Sequence, residues 1–162
     1  MIVSLVTAAG GAGCAEASQI APPEHKRCGC GGVARLTTFY PRRSEYRVSL
    51  SIRSPRLRAD EKYAADFREI LAKPVHALDP DERKLVYLSD SRYKSVRTMD
   101  LNGKRVVGFE LDEYNYRGLA FQIYQHDPQD DIIFEISYYA DREVYDRYLP
   151  TVNKMLASIV WM

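Results

Sequence analysis

With 162 residues, 46% of them hydrophobic and 28% charged, the chain has room for one domain with an adequate core. Lys and Arg number 23 against 22 Asp and Glu, a formal net charge of +1, so no global field draws in nucleic acid or an anionic membrane surface. Twelve tyrosines accompany one tryptophan, a bias toward side chains whose apolar ring and polar end suit half-buried strands and interfaces.

Residues 1–34 read as leader and linker. Met1 to Ala9 is a short apolar run, followed by small residues, Cys14 and Ala15-Glu16-Ala17. Ala-x-Ala is the form of an export cleavage site, and Gly11-Ala-Gly-Cys14 imitates a lipoprotein box without its usual Leu, Val or Ile. No positively charged start accompanies them, so a plain disordered or weakly helical leader stands level with an export signal. No apolar run approaches the ~20 residues of a spanning helix. Cys28-Gly-Cys30, with Cys14 and His25, matches no standard closed zinc spacing and reads as a Gly-rich linker.

The folded unit is expected over 37–162. Tyr46, Val48, Leu50 and Ile52 alternate with Arg47, Ser49, Ser51 and Arg53, the two-residue period of a strand. Ala59 to Lys73 carries Ala64, Phe67, Ile70 and Leu71 on one helical face, with Asp60 and Glu61 at its positive end and Pro74 as its stop. Asp79-Pro80-Asp81 marks a turn, and Leu85 to Ser89 reads as a strand. Tyr93 to Met99 is a strand running into Asn102-Gly103, a strong hairpin signal. Arg105 to Glu113 follows, with Val107, Phe109 and Leu111 inward and Glu110 and Asp112 outward.

Leu119, Phe121 and Ile123, then Ile132, Phe134, Ile136 and Tyr138, define two more strands joined by His126-Asp-Pro-Gln-Asp-Asp131. Asp141 is placed to cap the final helix, whose apolar face is Tyr145, Tyr148, Leu149, Val152, Met155, Leu156 and Ile159. Pro150 predicts a break near Leu149 and a second helix starting on the proline.

The run Ile133-Phe-Glu-Ile-Ser-Tyr-Tyr-Ala-Asp-Arg-Glu-Val-Tyr-Asp-Arg-Tyr-Leu-Pro-Thr-Val-Asn-Lys-Met-Leu-Ala-Ser-Ile159 resembles the end of PsbP-like proteins. Asp100-Leu-Asn-Gly-Lys-Arg-Val-Val-Gly-Phe-Glu-Leu111 resembles that family's hairpin before a central strand. The likeness spans roughly 46–159, and Ile159 stands where the family closes on Phe. Phe39-Tyr40-Pro41 replaces the family's Pro-x-x-Trp opening. The resemblance implies an α+β fold: an antiparallel sheet of about six strands with helices packed on it, an α/β/α sandwich. It also implies a non-enzymatic, extracytoplasmic accessory domain, periplasmic, thylakoid lumenal or lipid-anchored. Such a domain works on a protein partner or membrane-associated complex, photosystem II in the family's namesake.

Catalytic motifs are missing from the sequence: no nucleophile elbow, phosphate loop or dinucleotide fingerprint occurs. His25 and His76 have no recognisable triad companions. Two surface groupings remain. Arg47, Arg53, Arg56 and Arg58, following Arg42-Arg43, form a basic patch suited to an acidic partner, without the aromatic signature of RNA binding. The plainer reading is a solvated face paired with Glu110 and Asp112. His126, Asp127, Asp130 and Asp131 group hard ligands that can hold Ca²⁺ or Mn²⁺ weakly, although a solvated polar loop has the same composition. A small-ligand or metal-ion carrier, using this loop or the sheet's open face, is the alternative to the accessory domain.

Overall fold

The computed structural model describes residues 4–5, 36–39, 47–53, 61–126 and 131–161. In chain order these form β1 (Ser4–Leu5), β2 (Leu36–Phe39), β3 (Val48–Arg53), α1 (Glu61–Ala72) and α2 (Pro80–Leu85). Then come β4 (Tyr93–Leu101), β5 (Lys104–Asp112), β6 (Tyr116–Gln125), β7 (Ile132–Asp141), α3 (Tyr145–Ala157) and β8 (Ile159–Val160). Five strands of six to ten residues, with four-residue β2 on the edge, make one antiparallel sheet in the order β2-β3-β7-β6-β5-β4. The chain is α+β.

Alternation along each strand supplies two cores. Val48, Leu50, Val106, Phe121, Ile123, Phe134, Ile136 and Tyr138 face α3, which contributes Tyr145, Val152 and Leu156. Val96, Val107, Phe109, Ala120 and Ile133 face the other way, against Tyr63, Phe67 and Ile70 of α1. The inward residues expected of β5 therefore lie on the face opposite those of β6 and β7. Each fully buried Ile, Phe or Leu contributes about 1.5–3 kcal/mol.

Asn102 and Gly103 take φ of 50° and 81°, the left-handed pair of a tight hairpin. From that turn Asn102 Nδ2 donates to Leu156 O at 2.8 Å and Ile159 O at 3.0 Å, closing the end of α3. Within the stretch read as a leader, Ser4–Leu5 pairs antiparallel with Ile159–Val160; Cys14, Ala15-Glu16-Ala17, Cys28 and Cys30 lie outside the described residues.

Three expectations are corrected. Residues 85–89 are not a strand: α2 ends on Leu85 and the chain turns. Asp79 Oδ1 accepts from Asp81 N and Glu82 N, each at 2.9 Å, while Glu82 Oε2 accepts from Asp79 N at 3.1 Å. That capping box, with Pro80 inside the first turn, starts a helix where the dipeptide alone reads as a turn. Nor does Asp141 cap the last helix. It ends β7, and its carboxylate accepts from Arg47 N, so α3 begins after Val144 without a side-chain cap. Pro150 lies within a continuous Tyr145–Ala157 helix on an exposed position, where solvent can reach the carbonyl its ring leaves unserved.

Candidate functional site

Directly paired residues share a sheet face, so register reads out what each row presents. On the α1 and α2 face, one row runs Ser49, Tyr139, Gly118, Leu111 from β3 to β5. The next is Ser51, Ser137, Ala120, Phe109, and the third is Arg53, Glu135, Gln122, Val107. Polar residues thus fill the β3–β7 half and apolar ones the β5 half. No β3 residue belongs to the core beneath α1 and α2.

Where the two halves meet, a cavity of about 920 Å³ opens at one end of the sheet. Its floor includes Gln122 and Tyr139, and its walls include Tyr87, Arg92, Tyr93 and Arg47. Gly118 lets the floor form: a Cβ there would lie 2.6 Å from two ring carbons of Tyr139. Among the described residues, Gln122 Oε1 and Ser137 Oγ are buried without a hydrogen-bond partner.

Tyr87 is placed by the end of α2. Leu88 N donates to Arg83 O at 2.8 Å and Tyr87 N to Lys84 O at 3.2 Å, the paired bonds of a Schellman turn. The residue after the cap must be left-handed, and Tyr87 has φ of 57° where glycine is usual. Its side chain is nonetheless 73% exposed, with the ring 5.0 Å from that of Tyr63. Burial, with Tyr87 alongside, pushes the Tyr63 hydroxyl up to about 12. Arg83 braces the loop, donating from Nε to Leu88 O at 3.1 Å and from Nη2 to Tyr93 O at 2.8 Å. Arg92 lies over Tyr93, 5.0 Å from the ring centre, and pairs with Glu113 at 3.5 Å. Tyr116 is raised above the ordinary tyrosine range by its hydrogen bond to Glu113.

Of the expected basic patch, Arg47 is exposed on the cavity wall and Arg53 ends β3 opposite Glu135; Arg56 and Arg58 lie outside the described residues. Asp112, expected to face this patch, accepts from Arg142 Nη2. Of the expected metal loop, Asp127 and Asp130 lie outside the described residues. His126 Nδ1 is 2.9 Å from Asp131 Oδ1, and Tyr124 donates its hydroxyl to the same oxygen at 2.7 Å. These two bonds hold the Asp131 carboxyl below the usual carboxylate range. Among the described residues no three His, Cys, Asp or Glu come together as metal ligands.

Sequence reasoning missed Tyr87, Arg92, Gln122 and Tyr139. Only the Asp79…Glu82 capping box could have pointed to one of them, by predicting α2 and so its left-handed end. Set against family models, curated proteins and solved structures, the chain matches none of them. No helix among the described residues is long and apolar enough to cross a membrane.

Proposed function

We propose that the chain is a non-enzymatic accessory domain of PsbP-like architecture, acting by protein–protein association at the cavity end of its sheet. The resemblance over 46–159 supports the family and an exported or lumenal setting, with support of photosystem II as the role if the source is photosynthetic. A layered arrangement with helices on both sheet faces agrees with that family in kind.

One observation carries the association: Tyr87 holds a left-handed position that glycine fills without strain, and points its ring outward beside Arg92 and the cavity. Strain kept at an exposed aromatic is a mark of function rather than of stability. Tyrosine and arginine are also the residues that anchor protein interfaces.

A small-ligand carrier is the second reading, favoured by the concavity, since about 920 Å³ falls within the ~300–1,000 Å³ of ligand pockets. Native mass spectrometry of protein isolated from its source separates the two by the mass retained. In co-purification, Tyr87→Gly should lose the partner while Lys154→Glu, on the exposed face of α3, keeps it. Full retention by Tyr87→Gly overturns the association reading.

A further inference from the structure

The segment between α1 and α2 runs along the outer edge of β4, the last strand of the sheet. Leu78 N donates to Val96 O and Thr98 N to His76 O, both at 2.9 Å, and Ala77 bridges Arg97. This strap therefore occupies groups that an edge strand otherwise offers to another chain.

His76 engages the strap's own backbone through one ring nitrogen and α2 through the other. Nδ1 is 2.8 Å from Pro74 O, and Nε2 is 3.0 and 3.1 Å from the two carboxylate oxygens of Glu82. A backbone carbonyl only accepts. The carboxylate also acts as acceptor here, already taking Lys73 Nζ at 2.8 Å and Asp79 N at 3.1 Å. A neutral imidazole has one N–H and would turn a lone pair toward one of these oxygens. Thr98 Oγ, 3.3 Å from Nδ1, does not resolve the conflict. It accepts from His76 N at 3.0 Å, its own proton can go to His76 O at 3.4 Å or Pro74 O at 3.5 Å, and turning it to Nδ1 would leave that nitrogen's lone pair against Pro74 O. Both ring nitrogens thus face acceptors, an arrangement that an imidazolium satisfies in full.

We infer that His76 is a protonation-operated latch: charged, it ties the strap to α2 and covers the β4 edge; neutral, it releases the strap and uncovers Val96 O and Thr98 N.

The surrounding charges are consistent with this. Glu82 on α2 faces the ring, and Lys73 at the end of α1 opposes it from the far side of the same carboxylate. Asp79 is turned to the N-terminus of α2, and Glu69 acts on Lys73. From β4 and β5, Asp100 and Arg105 pair at 2.9 Å, with Arg105 also holding Lys73 O. The bond to Pro74 O, and then Glu82, raise His76 above its ordinary value despite burial and Lys73. Burial works against Glu82 ionisation, but Lys73, Asp79 N–H and His76 outweigh it and lower its value.

The signs define a window. A raised histidine value means the latch is fully made below the unfolded value and is lost as pH rises through the folded one; a lowered glutamate value means it is lost again as pH falls through that of Glu82.

The test is NMR on the full chain from about pH 5 to about pH 9, following the His76 ring nitrogens and backbone amide exchange. His76 should titrate above the ~6.5 of an unperturbed imidazole and carry both protons below that midpoint. Exchange at Leu78 and Thr98, corrected for base catalysis, should rise through that midpoint as the ring loses its proton. The amides of Ile123 and Ile136 should not follow. His76→Gln should exchange fast at both sites regardless of pH. If that variant fails to fold, the wild-type titration alone decides. A His76 midpoint at or below about 6.5, or wild-type exchange that ignores it, overturns the latch.

Discussion

Arg47 and Asp141 clasp each other through two hydrogen bonds, Asp141 N to Arg47 O and Arg47 N to Asp141 Oδ2, each at 2.9 Å. They close the corner where β3 begins and β7 ends, one wall of the cavity. Only the backbone of Arg47 takes part, so the two residues should respond differently to substitution. Asp141→Ala removes the acceptor and should cost about 1 kcal/mol in urea unfolding. Arg47→Glu should leave stability nearly unchanged, within the ~0–1 kcal/mol of exposed charges. If the wall receives an acidic partner, the same reversal, or its Arg53 counterpart, weakens association and flattens its salt dependence. Unaltered association would make these arginines plain solvated surface.

Tyr87 should trade stability against binding. Glycine relieves the left-handed strain but adds freedom to the unfolded chain, leaving a net gain of roughly 0.5–1 kcal/mol. Tyr87→Ala removes the ring and keeps the strain. Thermal unfolding should therefore rank Gly above Tyr, with Ala no better than Tyr, while both variants lose the partner. A glycine variant that melts lower would show that the stacking on Tyr63 outweighs the strain.

Gly118 is needed for space rather than for its backbone angle. An added Cβ meets Tyr139 at 2.6 Å and Leu111 Cβ at 3.2 Å, so the ring must swing. Gly118→Ala should cost about 1–3 kcal/mol as overpacking does, and shift the near-ultraviolet tyrosine signal. Partner binding should fall with it, because the displaced ring enters the cavity. Binding that survives the shift would move the contact to the outer rim.

Strand positions were legible because alternation is local. Val48 to Arg53, the Asn102-Gly103 hairpin and the Ile132 to Tyr138 run each carry their own period, and each became a strand or turn. Leu85-Val86-Tyr87-Leu88 misled because four apolar residues in a row suit a buried strand. The bonds that decided otherwise start six residues upstream, at Asp79. The Asp141 carboxylate was legible as an acceptor but not its donor, which lies 94 residues away on β3. The cavity was not legible at all. Ser49, Tyr139, Gly118 and Leu111 come from four strands, and only pairing register sets them in one row. The His76 latch escaped for a related reason: Glu82 is near in sequence, but the strap's bonds to Val96 and Thr98 depend on β4 lying alongside.

Leu156 closes the core on the α3 face. It is 5% exposed and shares that core with Phe121, Phe134 and Ile136, while its carbonyl accepts from Asn102. Leu156→Ala should leave a cavity and cost about 2–5 kcal/mol, a large share of the ~5–15 kcal/mol that holds a domain of this size. Exposed Lys154→Ala, two residues away, should cost little. Pro150 gives the sharper measurement. Because the helix is continuous through it, alanine supplies the N–H that Asp146 O lacks and removes the ring's clash, against an interior proline penalty of about 3 kcal/mol. Part of that is offset, since proline stiffens the unfolded chain by about 0.4–1 kcal/mol and native backbone has already adapted to the ring. A net gain of about 1–2 kcal/mol in urea unfolding is expected for Pro150→Ala. An unchanged midpoint would mean that the first turns of α3 have relaxed around the proline, so that alanine has nothing to restore.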